Sequence, residues 1–461
     1  MAKAAVLLFF FLRQLKLTAI KPYLQNSFFR NKSHVNRAKH YHLLFNLQQM
    51  FLKRLLLFLL CLISAKGVSL LVDKSKIMTP EITVPYFSGA ALSADHQNWI
   101  FNLNEVDTIK KLNFIENVQE KRKAIDNYRF SSIADSTHQY QLNQPGLIYA
   151  IRLAKTIFFF QGDIGALKSF QLLIHCCFCF LTMLSFKTTL KRLLFFLLYF
   201  INPAILYLTI FPFYYFWQVI GSYLIVLILL NPKKQTFFIL LLSSILLACI
   251  YHIRISTLPL SIFILIFGFY HIAPLRRVIA LGVFIVTVYI MQPGYLAKHP
   301  GHVMYSSLGA YPGSPVRGFS DNISFADYSK ATGKNYSYES TPSMYDSEVI
   351  MGEAKWGMEK FTEFAKENPF IILRNATLNI FESFSFGYMT SSVWLTYLSA
   401  FTGFIFFVVL FGRKKYSLIV LILASSCSYI LYLAPVPIYL YGTFLISVYA
   451  LLEIIPEKKV K

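Results

Sequence analysis

The sequence is poor in acid. It carries 22 Asp and Glu against 44 Lys and Arg, for a formal net charge of +22 at pH 7, and charged residues of both signs fill only 14% of its 461 positions. So few charges do not cover the surface of a water-soluble protein of this length. With 56% hydrophobic residues and a mean hydropathy of +0.52, the chain suits a lipid-solvated bundle. The basic surplus lies in short connectors between apolar runs, where anionic headgroups are a simpler partner than nucleic acid. A lipid bilayer is therefore expected as a partner and nucleic acid is not.

Cysteine is scarce and badly placed for cross-linking. Cys61, Cys176, Cys177, Cys179, Cys249 and Cys427 all fall inside apolar runs rather than in polar connectors, so a disulfide-built secreted domain is excluded. Cys176, Cys177 and Cys179 beside His175 lack paired CxxC spacing and sit within one helical run, where they cannot converge on one ion. The sequence also has no GxxxxGK[ST] loop, no GxGxxG after a strand, no HExxH and no GxSxG. Nucleotide-driven pumping, zinc hydrolysis and serine hydrolysis thus have no support. Ionisable residues inside the apolar runs are few, the clearest being His175 and Lys66, and Lys66 is near enough to a span end to snorkel. Asn202-Pro203 and Phe211-Pro212 weakly resemble the broken helices of transporters.

What the chain does have is an ordered alternation of connectors. The basic ones hold Lys53-Arg54, Lys187 to Arg192, Lys233-Lys234, Arg276-Arg277, Arg413 to Lys415 and Lys458 to Lys461. Lys and Arg are retained on the cytoplasmic side during insertion. With spans of roughly 20 apolar residues, the pattern gives about ten helices at 54–72, 168–186, 192–210, 212–230, 236–252, 257–272, 276–292, 392–411, 416–434 and 436–455. Every basic connector then falls inside, and so does the C-terminus. The expected fold is an all-α polytopic membrane protein with two large outward-facing loops.

Those loops cover residues 73–167 and 293–391, too long to be turns, so the chemistry is expected on the outer face. The first contains a helical run from Asp107 to Arg129 and an apolar segment from Gly146 to Phe160, interrupted by Arg152 and Lys155, which reads as an interfacial amphipathic helix. The second opens with a Gly, Pro, Tyr and Ser-rich stretch, Pro293 to Tyr345, and closes with a helix from Ser347 to Glu367 stopped by Asn368-Pro369. The chain divides into a basic segment 1–49, a membrane core 50–292 with the first loop, the second loop 293–391 and a three-helix segment 392–461. Residues 1–49 contain no Asp or Glu. They read as a basic extension, an acid-free targeting peptide, or translated sequence upstream of a start at Met50.

One cation breaks the positive-inside pattern. Arg254, in YHIRIST, lies at the outer end of the fifth span, where it reads either as a helix-end Arg that snorkels or as a guanidinium gripping phosphate oxygens, with His252 as an assisting group.

The stretch KAIDNYRFSSIADSTHQYQLNQPGLIYAIRLAKTI, from Lys123 to Ile157, carries an acidic residue, an aromatic, an Ala and a Pro-Gly in the order Asp126, Phe130, Ala134 and Pro145-Gly146. In this it resembles the GT-C membrane glycosyltransferases, specifically the group of dolichyl-phosphate-mannose protein mannosyltransferases and aminoarabinose transferases. HVMYSSLGAYPGSPVRGFSDNISFADY, His302 to Tyr328, is similar to a Gly-rich outer segment of some relatives, and WGMEKFTEFAKENPFIILRNA, Trp356 to Ala376, to their helix ending in Asn-Pro. The resemblance implies a sugar moved from a polyprenyl-phosphate donor to a lipid, glycan or protein acceptor. An outer-loop carboxylate would serve as general base and cations would steady the departing phosphate. Asp126 is the first choice for that base, Asp95 the second and Asp135 the third. Tyr128, His138 and Gln144 are candidate sugar or acceptor contacts by position. The acidic pair common in that loop is missing from the sequence, since Asn127 follows Asp126, and no cofactor motif settles whether a divalent metal is needed. A flippase or transporter of lipid-linked saccharides is a competing reading. An O-antigen ligase or polymerase is another, disfavoured by the large first loop. The topology points to a bacterial inner membrane with both termini cytoplasmic, with the endoplasmic reticulum as the alternative. Three sequons, at Asn322, Asn335 and Asn375, do not decide between them.

Overall fold

The computed structural model describes residues 35–74, 100–101, 112, 115–129, 136–137, 146–212, 214–291, 300–336, 347–388 and 392–456. Their regular elements are helices, apart from one short antiparallel ladder pairing Ile100 with Thr137 and Phe101 with Ser136. In chain order the helices up to the bundle's middle are α1 Val35–Lys74, α2 Val118–Asn127, α3 Gly146–Ile157, α4 Asp163–Ser185, α5 Thr189–Phe195, α6 Pro203–Ile210, α7 Val219–Leu230 and α8 Phe237–Ile253. They continue with α9 Leu258–Phe263, α10 Pro274–Met291, α11 Gly301–Ser307, α12 Asp321–Thr332, α13 Ser347–Glu367, α14 Pro369–Glu382, α15 Val393–Gly412, α16 Tyr416–Ser426 and α17 Tyr441–Ile454.

Among the described residues four helices are long and apolar enough to cross a bilayer: Gln48–Asp73 within α1, then α4, α10 and α15. A fifth span arises if Thr189–Phe200 and Pro203–Ile210 count as one helix bent by 52°. The bend is written in the sequence. Asn202 caps the second half by accepting from the Ala204 amide at 3.0 Å, and Pro203 occupies the first helical turn, where its missing N–H costs nothing. The other apolar helices, Tyr214–Leu230, Phe237–Ile253, Ile255–Gly268, Tyr416–Ser426 and Tyr441–Ile454, have 10–17 residues. They are shorter than the expected spans because turns interrupt the apolar runs. Helix α16 stops at Ser426 rather than at residue 434, and the segment from there to Tyr441 contains Pro435 and Pro437.

The bundle is apolar on its outside. Leu60 and Ile63 on α1 and Leu275, Tyr289 and Ile290 on α10 are exposed, a surface that water would penalise and lipid does not. Polar side chains turn inward instead. His175 is fully buried, with Nε2 at 2.9 Å from the Phe200 carbonyl and Nδ1 at 2.9 Å from the Tyr223 hydroxyl, while Thr209 pairs with Tyr441 at 2.7 Å.

The two ends of the bundle differ. At one, Asn231 donates to Ser185 at 2.9 Å, Arg192 to the Phe186 carbonyl at 2.8 Å, and Lys191 and Lys415 meet Glu453 at 3.5 and 4.0 Å. The His271 amide donates to Gln235 and Arg276 lies over Phe237 at this end too, and the Phe58–Phe180 contact places Lys53-Arg54 beside them. The described basic connectors are thus gathered at one end. Asp73, the start of α4, the end of α8 and the segment 427–440 lie at the other. Helices α11 to α14 stand over that segment, where Ser307 donates to the Tyr432 carbonyl and the Tyr388 amide to the Pro435 carbonyl. Inside this cap, buried Glu353 on α13 accepts from His302 on α11 at 2.9 Å and from Ser324 on α12, tying three helices together. Helix α13 runs Ser347–Glu367 with Asn368-Pro369 after it, as the sequence predicts.

Candidate functional site

The site forms where α2 lies on the first turns of α4. Asn117 starts α2 by accepting from the amides of Gln119 and Glu120 at 3.0 and 3.3 Å. Its last turn then rests on Gly162 and Gly165. A Cβ at either would come within 2.4 or 2.7 Å of the Asp126 carbonyl, so only glycine admits this approach. Tyr128 closes the junction, its carbonyl accepting from the Asp163 amide at 3.1 Å. The seating brings Asp126 over Lys168, one turn into α4.

Lys168 serves two carboxylates. Its Nζ is 3.1 Å from both Asp126 oxygens and 3.2 and 3.3 Å from those of Asp73, at the end of α1. Arg122 Nε reaches Asp73 at 3.5 Å from the buried face of α2. The side chains of Asp126, Asp73 and Lys168 are 32%, 27% and 14% exposed, so the group is reachable from outside while much of its water is excluded. Burial raises the Asp126 carboxyl above its ordinary value, Lys168 opposes that shift, the neighbouring Asp73 adds to it, and Lys66 on α1 draws it back slightly. A carboxylate raised in this way is the better proton acceptor.

Helix α3 links this group to the next. The Gly146 backbone lies against His252 and Ile253 at the end of α8, and Lys155 pairs with buried Asp163 at 3.3 Å. Its buried face carries Leu147, Ala150, Ile151 and Ala154, whereas Tyr149, Leu153 and the following Phe159 and Phe160 are exposed, the pattern of a helix lying in a membrane interface.

Arg254 caps α8, its amide donating to the Ile250 carbonyl at 2.8 Å. Its guanidinium is 4.4 Å from the Tyr214 ring, 5.2 Å from Tyr215 and 5.7 Å from Tyr439, and its Nε donates to Ser256 at 3.1 Å. Among the described residues no carboxylate pairs with it. Aromatic rings hold a cation by its face while leaving donor edges for an anion.

Of the residues singled out in the sequence, Asp126 and Tyr128 meet at the α2–α4 junction, and Arg254 lies beyond the other end of α3. The nine steps from Gly146 to Lys155 rise on the order of 14 Å at helical pitch, so Arg254 and Asp126 are neighbouring features rather than one contact. His252 directs Nε2 to the Val288 carbonyl at 2.9 Å, toward α10. Asp95, His138 and Gln144 lie outside the described residues, as does Asp135. Sequence reasoning missed Asp73, Lys168 and the three tyrosines around Arg254. Asp73 and Lys168 both stand near an end of a long apolar run, where a charge is ordinarily read as snorkelling. A pair of such charges of opposite sign at the same end is the signal that was there to be used. A divalent metal does not fit this arrangement: the Lys168 ammonium already lies between the two carboxylates, and no group of three His, Cys, Asp or Glu able to hold an ion occurs among the described residues. The chain matches no protein-family model, no curated protein and no solved structure.

Proposed function

We propose that this chain is an integral membrane glycosyltransferase of the GT-C type, with about ten spans and cytoplasmic termini. It moves a sugar from a polyprenyl-phosphate donor to a lipid, glycan or protein acceptor on the periplasmic or lumenal face. The observation that carries the reading is the half-open pair Asp73 and Asp126 on Lys168, at the end of the bundle opposite the basic connectors. The pair supplies the acidic couple that the sequence does not spell out as neighbours. In the reaction, the acceptor hydroxyl gives its proton to Asp126 and its oxygen bonds to the anomeric carbon. The bond from that carbon to the phosphate oxygen breaks, with its electron pair remaining on the phosphate. Because α3 spaces Arg254 from the carboxylates, Lys168 and Lys66 are the cations assigned to the leaving phosphate. Arg254 in its tyrosine cage is assigned to docking the donor's lipid phosphate.

The test is replacement of Asp126 by Asn beside Asp73→Asn, at matched expression in membranes, with glycans and lipids followed by mass spectrometry. Loss of one modified product in each variant is expected; unchanged glycans and lipids in both would remove the enzymatic reading.

A second reading has its own observation. The 52° bend at Asn202-Pro203 follows a π-helical turn, Phe196–Phe200, whose last carbonyl meets buried His175, and a second π turn spans Ile264–Gly268. Broken helices and π turns are common where transporters bind or move substrate. A flippase of lipid-linked saccharides would keep its transport rate in proteoliposomes when Asp126 becomes Asn.

A further inference from the structure

The cap of α11 to α14 carries a second set of side chains that the carboxylate pair does not use. Tyr305 on α11, Tyr328 on α12, Trp356 on α13 and Tyr336 just after α12 converge from four segments. Trp356 lies between Tyr305 and Tyr328, with ring centroids 4.8 and 5.8 Å away, and Tyr336 stacks on Tyr328 at 5.4 Å with the rings 11° apart. These rings are not the core of the cap. That core is Phe325, Val349, Ala354, Ser324 and Glu353, all buried, whereas the four aromatics are each partly exposed.

Polar groups border the rings. The Tyr305 hydroxyl donates to Asp327 Oδ2 at 3.0 Å, and Lys330 reaches Asp327 Oδ1 at 3.6 Å. Asp327 remains 31% exposed and so keeps room to accept further hydrogen bonds. Gly352 lets the α13 backbone come close to the Tyr328 hydroxyl, since a Cβ there would lie 2.5 Å from it. Partly exposed aromatic side chains beside a charge-balanced carboxylate suit a ligand with an apolar face and a rim of hydroxyls. Aromatic rings take the C–H face and the carboxylate takes the hydroxyls. A bare ammonium ligand fits less well, because Lys330 already neutralises Asp327.

We infer that Tyr305, Tyr328, Tyr336 and Trp356, with Asp327, form a saccharide-binding platform that holds the sugar chain of the acceptor. This deepens the transferase reading, on which it rests for the identity of the ligand as acceptor; the binding itself is measurable without transfer. The experiment is a titration of the full chain in lipid nanodiscs with chitotriose, mannotriose, maltotriose and, separately, choline chloride, read by tryptophan fluorescence. A saturable change with at least one saccharide is expected. Tyr336→Ala, at the platform's edge where the fold is least at risk, should weaken it ~3–10-fold, the range of one aromatic contact, and Trp356→Phe should remove most of the signal. Asp126→Asn should leave binding unchanged while transfer is lost, so the two readings fail separately. The platform is refuted by the absence of a saturable change with any saccharide, by one that Tyr336→Ala leaves untouched, or by a response to choline alone.

Discussion

The two ends of one helical bundle use charge in opposite ways. At the basic end, Lys191 and Lys415 converge on Glu453, the one carboxylate there among the described residues, and the other described cations of these connectors, from Lys53 to Lys414, stand without acidic neighbours in their connectors. At the other end one lysine is shared by two carboxylates, and an arginine is held by three tyrosine rings instead of by acid. Unpaired cations at a bundle end are what orientation in a membrane requires. Costly pairings in partly buried surroundings are what binding and proton transfer require. The difference teaches where function is to be sought, and altering each end separately tests it.

The largest effect should come from Lys168. Replacing it with Met leaves Asp73 and Asp126 side by side with their shared cation gone and removes the group that most strongly opposes the upward shift of Asp126, so Asp126 loses its ionised, proton-accepting form more readily. Transfer should fall by ~10²–10⁴-fold, the usual weight of a positioned acid–base group. In the unaltered protein, activity should fall as pH drops through the Asp126 pKa, which burial holds above the ordinary carboxylate value. A pH–rate profile with its acid limb at the ordinary carboxylate position would argue against Asp126 as the base.

Arg254 comes next. Arg254→Lys keeps the charge but loses the planar fork, and Arg254→Ala loses both. If Arg254 docks the lipid phosphate, both variants should raise the KM for the donor, Ala by ~10–100-fold and Lys by less, with kcat little changed, as for lost ground-state binding. A drop in kcat at unchanged KM would move Arg254 into the transfer step itself.

Much of this architecture is legible in the sequence, for local reasons. The Ser347–Glu367 helix is announced by its flanking Asn368-Pro369, the α6 kink by Asn202-Pro203, and the interfacial α3 by its alternation of apolar residues with Arg152 and Lys155. Grouping Lys187 to Arg192 with Lys233-Lys234 and Arg276-Arg277 at one end needs only the span count. The site was legible in part. Asp126 stands out as an acid in a long loop, but its partners Asp73 and Lys168 are 53 and 42 positions away, and nothing local announces the pairing. The cage around Arg254 joins Tyr214 and Tyr215 to Tyr439, a contact made by packing α8 against both halves of the bundle. Helix lengths were overestimated because hydropathy persists through the turns after Ser426, where the backbone does not remain helical.

The cap over the carboxylate end carries a pH effect of intermediate size. Glu382, fully buried at the end of α14, has its carboxyl pushed up to about 8 by burial, with the Tyr311 hydroxyl drawing it partly back. A carboxyl raised above its ordinary value of 4.5 stays protonated in the folded cap while the unfolded chain ionises. Stability is therefore full below about pH 4.5 and is lost as pH rises toward 8, by on the order of 2–5 kcal/mol. Melting of the full chain in detergent should drop between pH 5 and pH 8, and Glu382→Gln should flatten that slope. A melting temperature that rises over this window would contradict the protonated state.

The smallest effect belongs to the basic end. The Lys191–Glu453 and Lys415–Glu453 contacts are long, at 3.5 and 4.0 Å; Lys191 is buried, but Glu453 and Lys415 are 28% and 37% exposed, so solvent screens much of the attraction. Glu453→Gln should cost less than ~1 kcal/mol and leave transfer unchanged, since no link connects it to the carboxylate pair. Under the proposed topology the substitution should not disturb orientation either, because it adds to the positive excess at this end. Cysteine labelling from each side of the membrane would check this: Cys substituted in the Arg413 to Lys415 connector should react only from the cytoplasmic side, with or without Glu453→Gln. If Glu453→Gln instead abolished transfer at matched expression, the two ends would be coupled through α17. Function could then no longer be assigned to the carboxylate end alone.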